Sequence, residues 1–401
     1  MSGRLFALGL LCAIISCGES YVEQAISPRT PGEVLANNYG QRAYFNEYRG
    51  FIIGDGYEFD ESAFEQLAVD SIDVSEFRVS VALEHFESSL VADALIRAYD
   101  RGVDVRVVAD TDLADQVGFQ RVRDAGIEIV EGDGAFLWSA EFGKDPVIRS
   151  GEDNRMVHNF MVFDMLRLLV STQGFEGDNP SDLKFGFAVN SEDLARDFQD
   201  SFDQLYAGVF STEMTFFSDS VSSDSNRRAF YPTLDGTLEL YFGPQEPVVK
   251  EVIDSVYSAR SDIWISSPVL RNTDLLSALR YKQEAGFDVR ILTAEPLPRE
   301  WSGIFDAQIR PSIRQTLVIM DGDFAQRLPG YARGKAFVSS IPLLQSVPFY
   351  RPNGDPNANP VAQASDQFID GSMIGIHQID PAVEDHFIGL KQVFERLYDE
   401  N

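Results

Sequence analysis

The amino-acid sequence predicts an α/β protein made of two similar halves. Three observations carry that expectation. Phe77 to Leu83, F-R-V-S-V-A-L, alternates like a half-buried strand. Leu90 to Arg101 then puts Leu90, Ala94, Leu95 and Ala98 on one helical face, with Gly102 where a left-handed C-cap is wanted and V-D-V-R-V-V-A following as a second strand. Strand, helix and strand in that order make a β-α-β unit and imply parallel strands. The third observation is repetition. Ala94-Leu95, Gly102 and Asp104-Val105-Arg106 recur 184 residues later as Ala278-Leu279, Gly286 and Asp288-Val289-Arg290, with Val79 and Val81 matched by Ile263 and Ile265. An ordered, gapless set of matches is an internal duplication.

The 401 residues are too many for one ordinary core and fit two domains or one large duplicated one. Their 44% apolar content, with 30 Phe, is ample for a packed interior. Met1 to Ser16 carries a single charge, Arg4, and then an apolar run from Leu5 to Ile15, the order of an export signal and too short to span a bilayer. Ile14-Ile15-Ser16-Cys17 resembles the lipobox of bacterial lipoproteins. That resemblance implies cleavage before Cys17 and lipidation of Cys17. With Gly18 next rather than aspartate, it also implies an outer-membrane lipoprotein of a Gram-negative cell. An ordinary secretory signal, in which Cys17 has no role, exports the protein equally. The only other cysteine is Cys12, so the mature body holds no thiol for disulfides, metal ligation or catalysis.

The expected organisation is a signal peptide over 1–16, a tether over 17–45, a first half over 46–214, a linker over 215–236 and a second half over 237–401. The tether is polar, with Pro28, Pro31 and Gly32, and folding begins near Phe51-Ile52-Ile53. Asp60 opens a helical pattern through Phe64, Leu67, Val69 and Ile72. The linker contains S-D-S-V-S-S-D-S-N at Ser218 to Asn226. Each half closes with an amphipathic helix, through Phe198, Phe202, Leu205 and Tyr206 in the first and Val383, Phe387, Leu390, Phe394 and Leu397 in the second.

The formal charge is −30, or −31 without the leader. Such a surface repels nucleic acid and anionic headgroups over about 8 to 10 Å, so no nucleic-acid partner is expected. Solubility of an exported protein is enough to account for it. His85 ends a predicted strand, His377 lies beside D-G-S-M-I-G and His386 falls on the polar side of the last helix. None has neighbours at metal-ligand spacing, and the chain carries no P-loop, G-x-G-x-x-G or G-x-S-x-G, so neither a metal nor a cofactor is expected.

The remaining signal is Met156 to Asp164, M-V-H-N-F-M-V-F-D, an apolar strand-like run with a central histidine. A duplicated β-α-β half carrying G-V-D-V-R-V-V-A-D, followed by such a strand, resembles the phospholipase D superfamily. So do N-S-E-D-L-A-R-D-F at Asn190 to Phe198 and the F-D-Q-L-Y-A-G-V-F after it, and the likeness covers roughly residues 50 to 401. It implies two mixed sheets flanked by helices, related by a pseudo-twofold axis with one active site between them. In the family each half supplies H-x-K-x-x-x-x-D. One histidine attacks phosphorus to form a phosphohistidine, the other protonates the leaving group, and the lysines hold the phosphate oxygens without a metal. On a strand, positions i and i+2 share a side, which is why nucleophile and clamp stand two apart.

This chain departs from that pattern twice. In the first copy, aligned on N-F-M-V-F-D, the lysine expected between Asn159 and Phe160 is absent, and His158 stands six residues before Asp164 instead of seven. Phe160 then takes the place two after the histidine, and the parity of His158 against Asp164 is inverted. The downstream phosphate-binding element appears as Ser171-Thr172-Gln173-Gly174, in which Ser171 and Thr172 can donate; Asn190 is a further phosphate-binding candidate. In the second copy, Arg314 stands in the histidine position, Thr316 in the lysine position, and Asp321 is retained. Arginine binds anions but cannot serve as a general acid near neutral pH.

The resemblance therefore implies His158 as nucleophile with Asp164 beside it, and a second-motif remnant of Arg314, Thr316 and Asp321. Both aspartates read equally well as turn formers, and His158 as a buried strand residue. Lys184, Lys335 and Arg314 could gather around an anion, but on so acidic a chain salt-bridge roles are the simpler expectation. Losing a clamp lysine and the general acid costs about 10² to 10⁴ in rate each. The leading expectation is a degenerate phospholipase D-like surface lipoprotein, its phosphodiester chemistry weak or lost, that retains ligand binding between its halves. The alternatives are a working phosphodiesterase acting on phospholipid through His158, and a structural or interaction lipoprotein without a ligand. The expected partners are a phospholipid or another phosphodiester, and the membrane through the N-terminal anchor. The Pro- and Asn-rich stretch from Val347 to Pro360 reads as a long loop, either shaping the cleft mouth or simply exposed.

Overall fold

The computed structural model describes residues 61–132, 155–175, 186–190, 192–210, 230–232, 236–243, 248–314, 316–322, 334–343, 369–378 and 384–399. The expectations about the leader, Cys17, the tether, the Ser218 to Asn226 stretch, Lys184 and the Val347 to Pro360 loop fall outside the described residues.

The first half contains α1 (Glu61–Asp73), β1 (Arg78–Leu83), α2 (Ser89–Asp100), β2 (Asp104–Ala109), α3 (Val117–Asp124) and β3 (Ile129–Glu131). It continues with β4 (Arg155–Met156), β5 (Asn159–Phe163), β6 (Arg167–Ser171), β7 (Gly186–Asn190) and α4 (Glu192–Tyr206). The second begins with β8 (Phe230–Pro232), β9 (Gly236–Gly243), α5 (Val248–Ser258), β10 (Asp262–Ser267), α6 (Thr273–Glu284) and β11 (Asp288–Thr293). It ends with β12 (Ala307–Ile309), β13 (Thr316–Met320), β14 (Lys335–Ser339), β15 (Ile369–Gln378) and α7 (Glu384–Asp399).

The predicted β-α-β unit is present twice. Ser88 caps α2 by accepting the Val91 N–H at 3.2 Å, and Asn272, at the repeat offset, caps α6 by accepting the Leu275 N–H at 2.9 Å. Gly102 and Gly286 end these helices at φ +88° and +91°, a conformation that strains any residue with a Cβ. One expected core residue differs. The Ser88 cap phases α2 so that Val91, Ala94, Leu95 and Ala98 are buried, and Leu90 is 62% exposed.

Both sheets are mixed. The first runs β3-β2-β1-β5-β6-β7, and the second runs β12-β11-β10-β13-β14-β15-β9-β8. In each, the β-α-β strands are parallel and the motif strand, β5 or β13, lies antiparallel against the first of them. The apolar residues divide three ways. Each half has its own core, under α1 and α2 or under α5 and α6. A third core is shared, joining Phe160, Phe198 and Phe202 of the first half to Phe242, Trp264 and Phe394 of the second. The closing helices α4 and α7 both lie in that seam, where Phe198 meets Phe242 edge-on at 5.0 Å.

The run from Met156 to Asp164 is not one strand. Arg155 and Met156 pair in parallel with Ile369 and Asp370 of β15, in the second half, while Asn159 to Phe163 pair with β1 in the first. The chain changes sheets at Val157-His158. The Met156 N–H, donated to Asp110 Oδ2 at 2.8 Å, anchors the crossing.

Candidate functional site between the halves

Register places the motif positions without reference to any residue's identity. Val79 pairs with Phe163 in the first half, and Ile263 with Met320 in the second, so β5 and β13 superpose residue for residue. Seven residues before each aspartate stand Val157 and Arg314, and five before stand Asn159 and Thr316. His158 is therefore one residue away from the position that corresponds to Arg314.

That single step decides which way the imidazole faces. His158 and Phe160 share a side of the chain, as their spacing predicted, but that side is the shared core. The His158 ring meets Phe160 edge-on at 5.3 Å and Phe242 at 6.1 Å, and the residue is 1% exposed. Neither ring nitrogen has a hydrogen-bond partner among the described residues. Burial pushes its pKa down from 6.5 to about 3, so the ring is neutral at ordinary pH. Asn159, in the lysine position, is used up locally: its Oδ1 accepts the Glu84 N–H at 3.1 Å and its Nδ2 donates to the Val157 carbonyl at 3.2 Å. Thr316 is likewise buried, donating to the Ile341 carbonyl at 2.7 Å.

The two aspartates are turn residues that tie strands together. Asp164 takes a left-handed backbone, φ 52°, and its carboxylate accepts the N–H groups of Glu76, Phe77 and Arg78 at 3.0, 2.8 and 2.9 Å. Asp321, φ 58°, accepts those of Arg260 and Ser261 at 2.6 and 2.9 Å. Burial raises the Asp321 carboxyl above the usual aspartate range, against the opposing pull of those two amides. Neither aspartate lines the cleft.

Between the halves lies a cleft of about 410 Å³. Its first-half wall holds Glu84, His85, Arg155, Val157, Thr172 and Gln173. The second half contributes Arg314, Glu295 and Ser340, set among Pro268, Pro311 and Pro342. Pairing within β5-β6 and β13-β14 makes Thr172 and Ser340 equivalent, so the cleft keeps a twofold pair of hydroxyls. Arg155 is ion-paired with Glu84, and Glu295 with Arg271 outside the lining. His85 is held through Nδ1 by the Gln116 amide at 2.9 Å.

The other predicted residues lie apart. Ser171 donates its hydroxyl to the Gln173 carbonyl, and Asn190 ends β7 opposite Arg167. Lys335 pairs with Glu239 at 2.8 Å, a buried ion pair away from the cleft. Among the described residues no three His, Cys, Asp or Glu gather as a metal site, and no helix is long and apolar enough to cross a membrane. Sequence reasoning missed Glu84, Arg155, Gln173 and Ser340 as lining residues. The repeat offset carries part of that information, since Glu84 and Pro268 are equivalent ends of β1 and β10.

No protein-family model matches the chain, and no curated sequence does. Among solved structures, it is similar to a phosphatidylserine synthase from Haemophilus influenzae, with a TM-score of 0.50 and 11% identity over 92% of this chain and 90% of that one. It is also similar to a polyphosphate kinase from Porphyromonas gingivalis, with a TM-score of 0.49 and 12% identity over 84% of this chain. The chain spans about half the length of that kinase, 49%. Nuc of Salmonella typhimurium, a phospholipase D family member, matches 35% of this chain and 84% of its own at 18% identity and a TM-score of 0.27.

Proposed function

The chain has the duplicated fold of the phospholipase D superfamily, and from that premise we propose that it is a non-catalytic member that binds a small polar ligand in the cleft between its halves. The observation that carries this reading is the pair of residues at the two histidine positions, Val157 and Arg314. Valine has no nucleophilic atom, and a guanidinium does not release a proton near neutral pH. His158 is chemically able to attack phosphorus but is sealed in the seam, out of hydrogen-bond reach of a cleft substrate.

The cleft supports a ligand-binding reading over a purely structural one, because it sets Glu84, Arg155, Thr172 and Arg314 around a concave space between aliphatic walls. Phosphodiesters and phospholipids enter as ancestral ligands by analogy with proteins of this fold. The leader and the Ile14-Ile15-Ser16-Cys17 sequence support an exported protein held at the outer membrane by lipid on Cys17. Replacing Cys17 with Ala is expected to move it from the membrane to the soluble fraction, and unchanged fractionation rejects the anchor.

The catalytic question is settled by assaying the purified chain on bis-p-nitrophenyl phosphate and on phosphatidylcholine vesicles, beside His158→Ala. Both proteins are expected to match the buffer blank. Turnover by the wild type that disappears in the variant overturns the reading.

A further inference from the structure

We infer that the first half carries an interaction surface at the end of its sheet away from the cleft, with Phe77 and Met165 as apolar anchors, and that its partner is a basic amphipathic segment of another protein. Glu84 lines the cleft just after β1, whereas Phe77 precedes the other end of that strand.

β1 and β5 pair antiparallel with Val79 opposite Phe163, and that register carried onward puts Met165 opposite Phe77. Phe77 is 69% exposed and Met165 39%. Met165 also has a left-handed backbone, φ 57°, in the turn that the Leu166 N–H closes onto the Phe163 carbonyl at 3.0 Å. It follows a left-handed Asp164, and glycine is the residue preferred in second place there, because a Cβ is strained. The second half shows that the fold needs neither side chain. At the repeat offset Ser261 stands for Phe77, and Gly322, after Asp321, stands for Met165. An apolar side chain that is exposed, and in one case strained as well, contributes little to its own fold, and binding residues have this profile.

Charge selects the partner. Arg78 and Arg106 are both engaged by Asp104, and Arg97 and Arg101 by Asp73. Glu76, next to Phe77, is exposed and makes no ion pair among the described residues. The charge left over at this end is therefore a carboxylate, on a chain of net charge −30 that attracts cations and repels both a second copy and an anionic membrane. An apolar stripe edged by lysine or arginine complements both features. The stripe takes the phenylalanine ring and the adaptable methionine, and a cation reaches Glu76.

The test is titration calorimetry of the full chain with a synthetic helical peptide of leucine and lysine that has one apolar face. The comparison protein is Phe77→Ser/Met165→Gly, which installs the second half's residues. The wild type is expected to bind saturably, the double variant at least about tenfold more weakly, and Glu76→Gln about two- to fivefold more weakly. The double variant should melt no lower than the wild type, since glycine relieves the left-handed position. A melting temperature several degrees lower would mean that the pair serves the fold, and would overturn the inference. So would absent wild-type binding, equal binding by the double variant, or equally tight binding of the same peptide with glutamate in place of lysine. Two further results would assign the surface elsewhere and overturn it too: a wild-type dimer in sedimentation that the double variant dissolves, or flotation with phosphatidylcholine vesicles that the double variant loses.

Discussion

In β5 and β13 the aspartate at the strand end has the same left-handed backbone and the same use, accepting the N–H groups that open the neighbouring strand. Seven residues earlier the two strands have nothing in common, with Val157 in one and Arg314 in the other. Between these extremes, Asn159 and Thr316 differ in chemistry but not in job, since each is buried and spends its polar atoms on nearby backbone. The contrast separates two parts of one inherited pattern. The carboxylate end holds a turn in both copies, whereas at the cleft end the two copies differ.

The comparison breaks most directly at the aspartates. Asp164→Ala removes the acceptor for three backbone N–H groups and leaves a left-handed alanine, an expected loss of about 3 kcal/mol in urea unfolding. Asp321→Ala, with two such N–H groups, should cost about 2 kcal/mol. If either variant were as stable as the wild type, the turn role would fail for that half.

The smallest effect at neutral pH, and the most informative about His158, comes from His158→Leu. Its imidazole is neutral in the fold, with a pKa near 3, whereas the unfolded chain takes up the proton around 6.5. Between those values the unfolded state binds more protons, so stability falls as the pH drops below about 6.5 and keeps falling until the folded pKa is reached. This one group contributes a slope of at most about 1.4 kcal/mol per pH unit. The leucine variant lacks that contribution, so the gap between the two should shift in the variant's favour on acidification. Parallel stability profiles from pH 7 to 4 would place His158 in contact with water and reopen its catalytic role.

Much of the scaffold was legible in the sequence because it rests on local chemistry repeated at a fixed offset. Gly102 and Gly286 mark helix ends through their backbone freedom, and the alternation of Val79 and Val81 marks a strand. Leu90 was misplaced because one cap residue shifts the phase of a short helix. The cleft was less legible for a different reason. Met156 to Asp164 is largely apolar, and an apolar run does not say to which sheet each part belongs. The crossing at Val157-His158 depends on Ile369 and Asp370, over two hundred residues away, and on the buried Asp110 carboxylate. Likewise, Gln173 looks like any turn glutamine until its neighbours are seen to leave it unpartnered.

The pairing of β4 with β15 bears on how the molecule behaves as a machine. A strand from one half is stitched into the sheet of the other, and a shared core straddles the seam. Hinged opening, the usual way for a two-lobed protein to admit a guest, would have to unzip that stitch and expose the Phe198 and Phe242 rings to water. The two lobes therefore resist hinged opening and rise and fall in stability together.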